Sequence, residues 1–318
     1  MKKILKITLA CGMNERLVFF GNERLATGVT TTVPVLKALV NTGYRVAAVV
    51  VSQTDPAQSR KARTLEIRSA AEELGIPVLA PEKTADVKDR LKELDAEAGI
   101  LVAYGKLVPK EVIDLFPRGI INIHPSLLPK RRGSTPIENT ILYDEHETGV
   151  SLMDLVEKMD AGPIYMQQKL PVREGITKQE LADSLLDLGK DMLLEHLPAI
   201  LSGSLKPEPQ DDLDATYDKQ IDKGVGSLDT SKSAANLERE VRAYAGWPRS
   251  RIMLGTTEVI VTRAHVAEGV EGLEGTLWLQ DNQLGVHCTE DTLIIDTLIP
   301  PGKKEMSAEA FLAGYKLD

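Results

Sequence analysis

From Leu17 onward, short continuous apolar runs alternate with stretches whose apolar residues recur at helical spacing. Leu17-Val18-Phe19-Phe20-Gly21 and the β-branched run over 45–52 have no polar alternation. Both therefore read as strands buried on two faces, because a strand with one wet face alternates. Residues 33–41 and 60–74 read as helices, the second closed by Gly75, whose lack of a side chain suits a left-handed cap. Further strands are expected at 77–80, 99–104 and 120–124, separated by helical pieces near 87–94 and 112–115. This order predicts an α/β fold: a Rossmann-like, mostly parallel sheet covered by helices. In such a sheet ligands bind outside the carboxyl ends of the strands. Two more strands, 149–156 and 163–172, are joined by a tight turn at Asp160-Ala161-Gly162, and a long amphipathic helix over 178–201 closes the unit.

The pattern then changes. Residues 202–225 hold Pro207, Pro209 and many acids, with no period and little apolar content, which marks a linker. Beyond it come a helix near 234–244 and short strands at 251–254, 258–264, 275–279, 284–286 and 293–297, the composition of a small β-barrel. The expected organisation is 1–203, a linker over 204–225, and 226–318. Residues 1–12 read as a start-site extension, since Met13 directly precedes the first strand pattern. Their apolar stretch, broken by Lys6, is too short for a signal peptide.

Composition narrows the function classes. The 318-residue chain carries a formal charge of -9 and only 4% aromatic residues. That argues against a general nucleic-acid binder, whose affinity rests on neutralised phosphates. A local basic patch survives the argument, because salt screens each charge within about 10 Å. Cys11 and Cys288 form no disulfide framework, so a reducing cytoplasm is expected. No run is long and apolar enough to span a membrane.

The candidate chemistry sits at the end of one predicted strand. In Asn122-Ile123-His124, the outer two residues project to the same face. An imidazole moves protons near neutral pH, and a carboxamide can donate to an oxyanion. A purely structural pair is the alternative. After them, the loop 125–136 is stiffened by three prolines and carries Lys130, Arg131 and Arg132 in succession. It reads either as a solvated charge run or as a receptor for phosphates. Asp160, in its turn, serves either the local backbone or the imidazole of His124. No cluster has metal-ligand spacing, so no metal is expected.

The string Asn122-x-His124-x-Ser126-Leu127-Leu128-Pro129-x-x-Arg132-Gly133, then Glu147-Thr148-Gly149, then Asp160-x-Gly162 resembles the folate-dependent formyltransferases. The resemblance implies catalytic roles for Asn122, His124 and Asp160. It also implies a pocket for 10-formyltetrahydrofolate at Val102, Ala103, Tyr104 and Gly105, with Ser126, Leu127, Leu128 and Pro129. Further on, Val241-Arg242-Ala243-Tyr244-x-x-Trp247-Pro248-x-Ser250-Arg251 and Pro301-Gly302-Lys303-Lys304-x-Met306-Ser307 resemble the methionyl-tRNA formyltransferases within that family. These carry an OB-like barrel after the catalytic unit. The implied activity is formyl transfer to the α-amino group of methionyl initiator tRNA, by a cytoplasmic monomer. Arg60, Lys61, Arg63, Lys130, Arg131, Arg132, Lys303 and Lys304 are the implied tRNA contacts. A formyltransferase acting on an amino-sugar nucleotide, a formyltetrahydrofolate hydrolase and a non-catalytic binding module remain as alternatives. Two departures stand out. The first strand runs into Gly21-Asn22-Glu23-Arg24 instead of the family's Gly-Thr-Pro turn, and the loop over 52–64 is shorter than in familiar members.

Overall fold

The computed structural model describes residues 15–52, 65–315 and 317. Its first half is built on strands β1 (Arg16–Gly21), β2 (Arg45–Val50), β3 (Val78–Leu79), β4 (Ala98–Val102) and β5 (Ile120–His124), followed by the short β6 (Arg132–Gly133) and the longer β7 (Glu147–Asp154) and β8 (Ile164–Pro171). Seven of these form one sheet in the order β3-β2-β1-β4-β5-β7-β8. The first five run parallel, and β7 and β8 extend the sheet antiparallel. The chain winds outward from β1 to β3 and then returns to place β4 on the other side of β1. That reversal opens the crevice between the carboxyl ends of β1 and β4, with β5 beside it.

The apolar run of β1 is buried on both faces, as its lack of alternation requires. Leu17 and Phe19 join the core under α1 (Pro34–Asn41), α2 (Glu66–Glu73) and α6 (Lys178–Ser202), while Val18 and Phe20 join the core under α3 (Lys88–Glu93) and α4 (Lys110–Ile113). Between them in the chain, α5 (Pro136–Leu142) follows the site loop. Helix α6 starts on a capping box, in which Glu180 N donates to Thr177 Oγ1 at 3.2 Å and Thr177 N to Glu180 Oε2 at 2.9 Å. It stops at Gly203, left-handed at φ 75°, so the helix begins and ends on residues suited to its two termini. Its Leu181, Leu185, Leu193 and Leu197 are fully buried, each contributing about 1.5–3 kcal/mol of burial.

The second half contains β9 (Tyr217–Asp218), α7 (Ala234–Ala243), β10 (Ser250–Leu254), β11 (Thr257–Ala267), β12 (Leu277–Gln280), β13 (Gln283–His287), β14 (Thr292–Ile299), β15 (Met306–Ser307) and α8 (Ala308–Gly314). Six of these strands make an antiparallel sheet in the order β10-β11-β14-β13-β12, with β15 added on β14. Two irregularities in β11, around Arg263, bend it as bulges do. This is the unit of a helix and short antiparallel strands that the sequence predicts, with α7 and α8 packed on the sheet. It has its own core, centred on Leu237, Val259, Leu293 and Phe311. Helix α7 bridges the halves, packing on α5 while Ala243 and Tyr244 enter the first core.

The stretch 204–225 is laid along the first half instead of hanging free. Glu208 and Ile164 exchange main-chain hydrogen bonds of 2.8 and 2.7 Å, and β9 pairs parallel with β6. Polar main-chain pairing holds this segment, so its low apolar content gives no sign of it. No helix among the described residues is long and apolar enough to cross a membrane.

Candidate active site

Asn122 and His124 stand side by side at the carboxyl end of β5, 5% and 4% exposed. The imidazole Nε2 lies 3.1 Å from the carbonyl oxygen of Arg131. A carbonyl can only accept, so Nε2 carries a proton in this arrangement. That leaves Nδ1 facing Asp160 Oδ1 at 3.7 Å. An ion pair spans the gap when the ring is doubly protonated. The Asn122 carboxamide makes no hydrogen bond among the described residues, although it is buried.

Asp160 occupies the turn between β7 and β8 with a left-handed backbone, φ 48°, a conformation Asp tolerates better than most residues. Its Oδ2 accepts from the amide of Gly133 at 2.7 Å. Its carbonyl, and that of Gly162, accept from Gln210 Nε2 at 2.8 and 2.7 Å. The carboxylate is thus aimed from both sides, by the site loop and by the segment that precedes β9.

The loop after β5 is held by hydroxyls. Ser126 Oγ donates to Lys130 O at 2.8 Å, Ser151 Oγ to Ser126 O at 2.6 Å, and Gln167 Nε2 to Leu128 O at 2.7 Å. The amide of Leu128 returns a bond to Ser151 Oγ at 3.0 Å. Ser126, Leu127, Leu128 and Pro129 therefore form a fixed wall next to His124.

The same loop corrects the sequence reading of an exposed basic run. Arg132 is 0% exposed. It reaches Gln210 Oε1 through Nε and Nη2 (3.1 and 2.8 Å), Tyr217 Oη at 2.8 Å and Asp212 Oδ1 at 2.7 Å. Arg131 is paired with Glu145 at 2.6 Å and Asp218 at 3.0 Å, and its guanidinium lies 4.8 Å from the centre of the Tyr143 ring. Both guanidiniums are thus spent inside the protein on partners far along the chain. Lys130 alone of the three stays in solvent. Lys303 and Lys304 are exposed between β14 and β15, on the other sheet. Arg60, Lys61 and Arg63 lie outside the described residues.

Across the crevice, Val102 O accepts from Asn22 N and Glu23 N, each at 3.2 Å, tying the ends of β1 and β4. A Cβ on Gly21, at φ 124°, would strike the Val102 carbonyl, so the close approach requires glycine. Ala103 and Gly105 are also left-handed, at φ 52° and 73°. The Tyr104 side chain is buried edge-on to Phe20, its hydroxyl 3.1 Å from Thr84 Oγ1. Only main-chain groups of that residue remain for a ligand. Glu23 is buried behind the crevice and accepts from the amides of Val35 and Leu36, both at 2.8 Å. It caps the amino end of α1 from a distance. Burial pushes its carboxyl up to about 7, against the pull of those two amides.

Sequence reasoning missed Gln210, Tyr217, Asp218, Glu145 and Glu23. The first three sit in the segment read as a linker, and the crowding of acids there was the one available hint. The partly buried Arg131 and the buried Arg132 needed counter-charges, and Asp218 and Asp212 of that segment supply them together with Glu145. Among the described residues no three His, Cys, Asp or Glu side chains gather as a metal-ligating group.

A hydrogen-bond donor, an oriented imidazole and a carboxylate converge at a strand end, beside a crevice lined by main-chain groups. Such a set can stabilise an oxyanion and relay a proton. Comparison with known proteins places the chain as a whole. Residues 24–197 match the formyl transferase family model, and residues 220–316 match the model of the formyl transferase C-terminal domain. The methionyl-tRNA formyltransferase of Halorhodospira halophila is 36% identical over 96% of this chain and 98% of that protein. The methionyl-tRNA formyltransferase of Methylococcus capsulatus is 35% identical over 95% and 97%. Two solved structures share the fold at low identity. An N-formyltransferase from Helicobacter canadensis, in complex with folinic acid and dTDP-3-aminofucose, superposes with a TM-score of 0.65 at 16% identity, covering 88% of this chain and 98% of that one. HypX from Aquifex aeolicus, in complex with tetrahydrofolic acid, superposes at 0.62 and 17% identity over 96% of this chain, which spans 48% of that protein. Matched along both halves, this chain belongs to the formyl transferase family, among its methionyl-tRNA formyltransferases.

Proposed function

We propose that this protein transfers the formyl group of 10-formyltetrahydrofolate to the α-amino group of methionyl initiator tRNA, as a monomeric cytoplasmic enzyme of translation initiation. The observation that carries the reading is the placing of Asn122 and His124 at one strand end, with Asp160 3.7 Å from the imidazole. The near full-length match to methionyl-tRNA formyltransferases supports the acceptor. Folate-type ligands in the two structural neighbours support the donor class.

In this mechanism the main chain of Val102, Ala103, Tyr104 and Gly105 and the wall Ser126–Pro129 hold the folate. The methionyl amine forms a bond to the formyl carbon as the bond from that carbon to folate N10 breaks. Negative charge develops on the formyl oxygen in between. Asn122 donates to that oxygen with an NH₂ group that has no competing partner among the described residues, and cationic His124 offsets the charge. Asp160 holds the ring and helps carry a proton from the amine to N10. Lys130, Lys303 and Lys304, exposed and without an ion pair among the described residues, are left to meet tRNA phosphates, and Arg60, Lys61 and Arg63 are proposed to join them.

The test is formyl transfer from 10-formyltetrahydrofolate to initiator Met-tRNA, run beside free methionine and an amino-sugar nucleotide. Transfer to the charged tRNA alone is expected. Transfer to the sugar alone would overturn the acceptor, and release of formate without an acceptor would make the protein a hydrolase.

A further inference from the structure

We propose that Gln210 is a positioning residue for the His124–Asp160 pair, an inference that rests on the function proposed above. Its one carboxamide touches both supports of the pair. On the aspartate side, Nε2 donates to the carbonyls of Asp160 and Gly162 at 2.8 and 2.7 Å, pinning the left-handed turn that aims the carboxylate. On the histidine side, Oε1 accepts from Arg132 Nε and Nη2 at 3.1 and 2.8 Å. Arg132 lies between Arg131, whose carbonyl receives His124 Nε2 at 3.1 Å, and Gly133, whose amide reaches Asp160 Oδ2 at 2.7 Å. The amide therefore uses both its N–H donors and its oxygen to fix the loop that holds the imidazole against the turn that holds the carboxylate.

Two features set this contact apart from general packing. Gln210 comes from neither element it orients, since it lies in the segment between the two halves of the protein. Arg132 is fully buried and, among the described residues, has no carboxylate at its Nε–Nη2 edge. A neutral oxygen accepts there, while Asp212 takes Nη1. An acid at 210 would satisfy Arg132 equally well, so the need for an amide comes from the two carbonyls on the other side.

Gln210→Glu isolates that need. It keeps the shape and the acceptor for Arg132, but sets an oxygen against two carbonyl oxygens. The turnover number and both KM values are read for this variant in the parent and in an Asp160→Asn background. The expected result is a loss of about 10- to 100-fold in kcat in the parent, with both KM values within about threefold. In the Asp160→Asn background the same substitution costs less than about twofold, because residues acting through one another are non-additive. An equal fold-loss in both backgrounds, or a kcat within about twofold of the parent, would overturn the proposal. Circular dichroism checks each protein for folding, and Gln210→Ala carries the same comparison should Gln210→Glu unfold. The imidazole nitrogen NMR signals of His124 give a readout free of turnover. They shift in the Gln210 variant if the role is real, and unmoved signals would refute it. Absence of turnover in the parent would sink the proposed function and leave this NMR test standing.

Discussion

Lys178 opens α6 with its side chain buried, 3.7 Å from an equally buried Glu138, and its ammonium donates to Thr27 O at 2.7 Å and Trp247 O at 3.2 Å. Thr27 lies just after β1, and Trp247 follows α7 in the second half, so one cation ties both parts of the protein together. Burial draws the Lys178 ammonium below its ordinary pKa and pushes the Glu138 carboxyl above its own, and mutual attraction opposes both. Lys178→Met keeps the volume and removes the charge. Glu138, whose Oε2 already lacks a hydrogen-bond partner among the described residues, is then a buried carboxylate without its cation, and two carbonyls lose their donor. Removing one member of a buried pair costs about 3–5 kcal/mol. With a urea m-value near 3 kcal/mol/M, the upper end for small proteins, the midpoint should fall by roughly 1 M or more. Adding Glu138→Gln should recover about half, because it relieves the stranded charge and leaves the two carbonyls bare. The KM for tRNA should rise alongside, since the two halves lose a shared anchor. A midpoint shift below about 0.3 M, or a double variant no more stable than the single one, would refute the reasoning.

Asn122→Ala and His124→Ala should each lower kcat by about 10²–10³ or more, and near-normal turnover in a single-turnover assay would remove that residue from the mechanism. Glu23 titrates at about 7 in the folded protein against 4.5 when free, so the native state holds the extra proton between those values. Its share of stability, up to about 3 kcal/mol, is fully present below pH 4.5 and is lost as the pH rises through about 7. Thermal melts from acid to neutral pH should show a flatter decline for Glu23→Gln than for the parent. Replacing Lys130, Lys303 or Lys304 by Gln should flatten the salt dependence of tRNA binding by about one unit per contact. Arg131→Gln should instead lower the urea midpoint with the slope intact, as its charge is spent on Glu145 and Asp218.

What could be read from the chain followed from local pattern. The unbroken apolar run of β1 declares a strand buried on both faces, and its two faces enter separate cores. The spacing of Asn122 and His124 sets them on one side of β5. Other features are non-local and leave no periodic mark. Lys178 looks like an ordinary polar position at a helix start until Glu138, Thr27 and Trp247 are folded around it. Arg131 and Arg132 look solvated until Glu145, and the acids and amide of the segment around β9, fold against them. Gln210 sits among prolines and acids that announce a loop, and nothing nearby shows what its carboxamide meets.

The docked segment bears on how this protein can be recombined with its relatives. A chimera cut after Gly203, where the long helix ends, would hand Gln210, Tyr217 and Asp218 to the foreign half. Both halves could then fold while the donor's loop and the recipient's segment failed to mesh around the aspartate turn. Thr135 Oγ1 still reaches Lys219 O at 2.8 Å, and Ile221 still packs on the first core. The workable crossover lies beyond Ile221, in the short stretch before α7, where exchange would leave the first half with the whole segment docked on it, and the incoming half would have to supply counterparts of Ala243, Tyr244 and Trp247, which complete the first core and the Lys178 anchor.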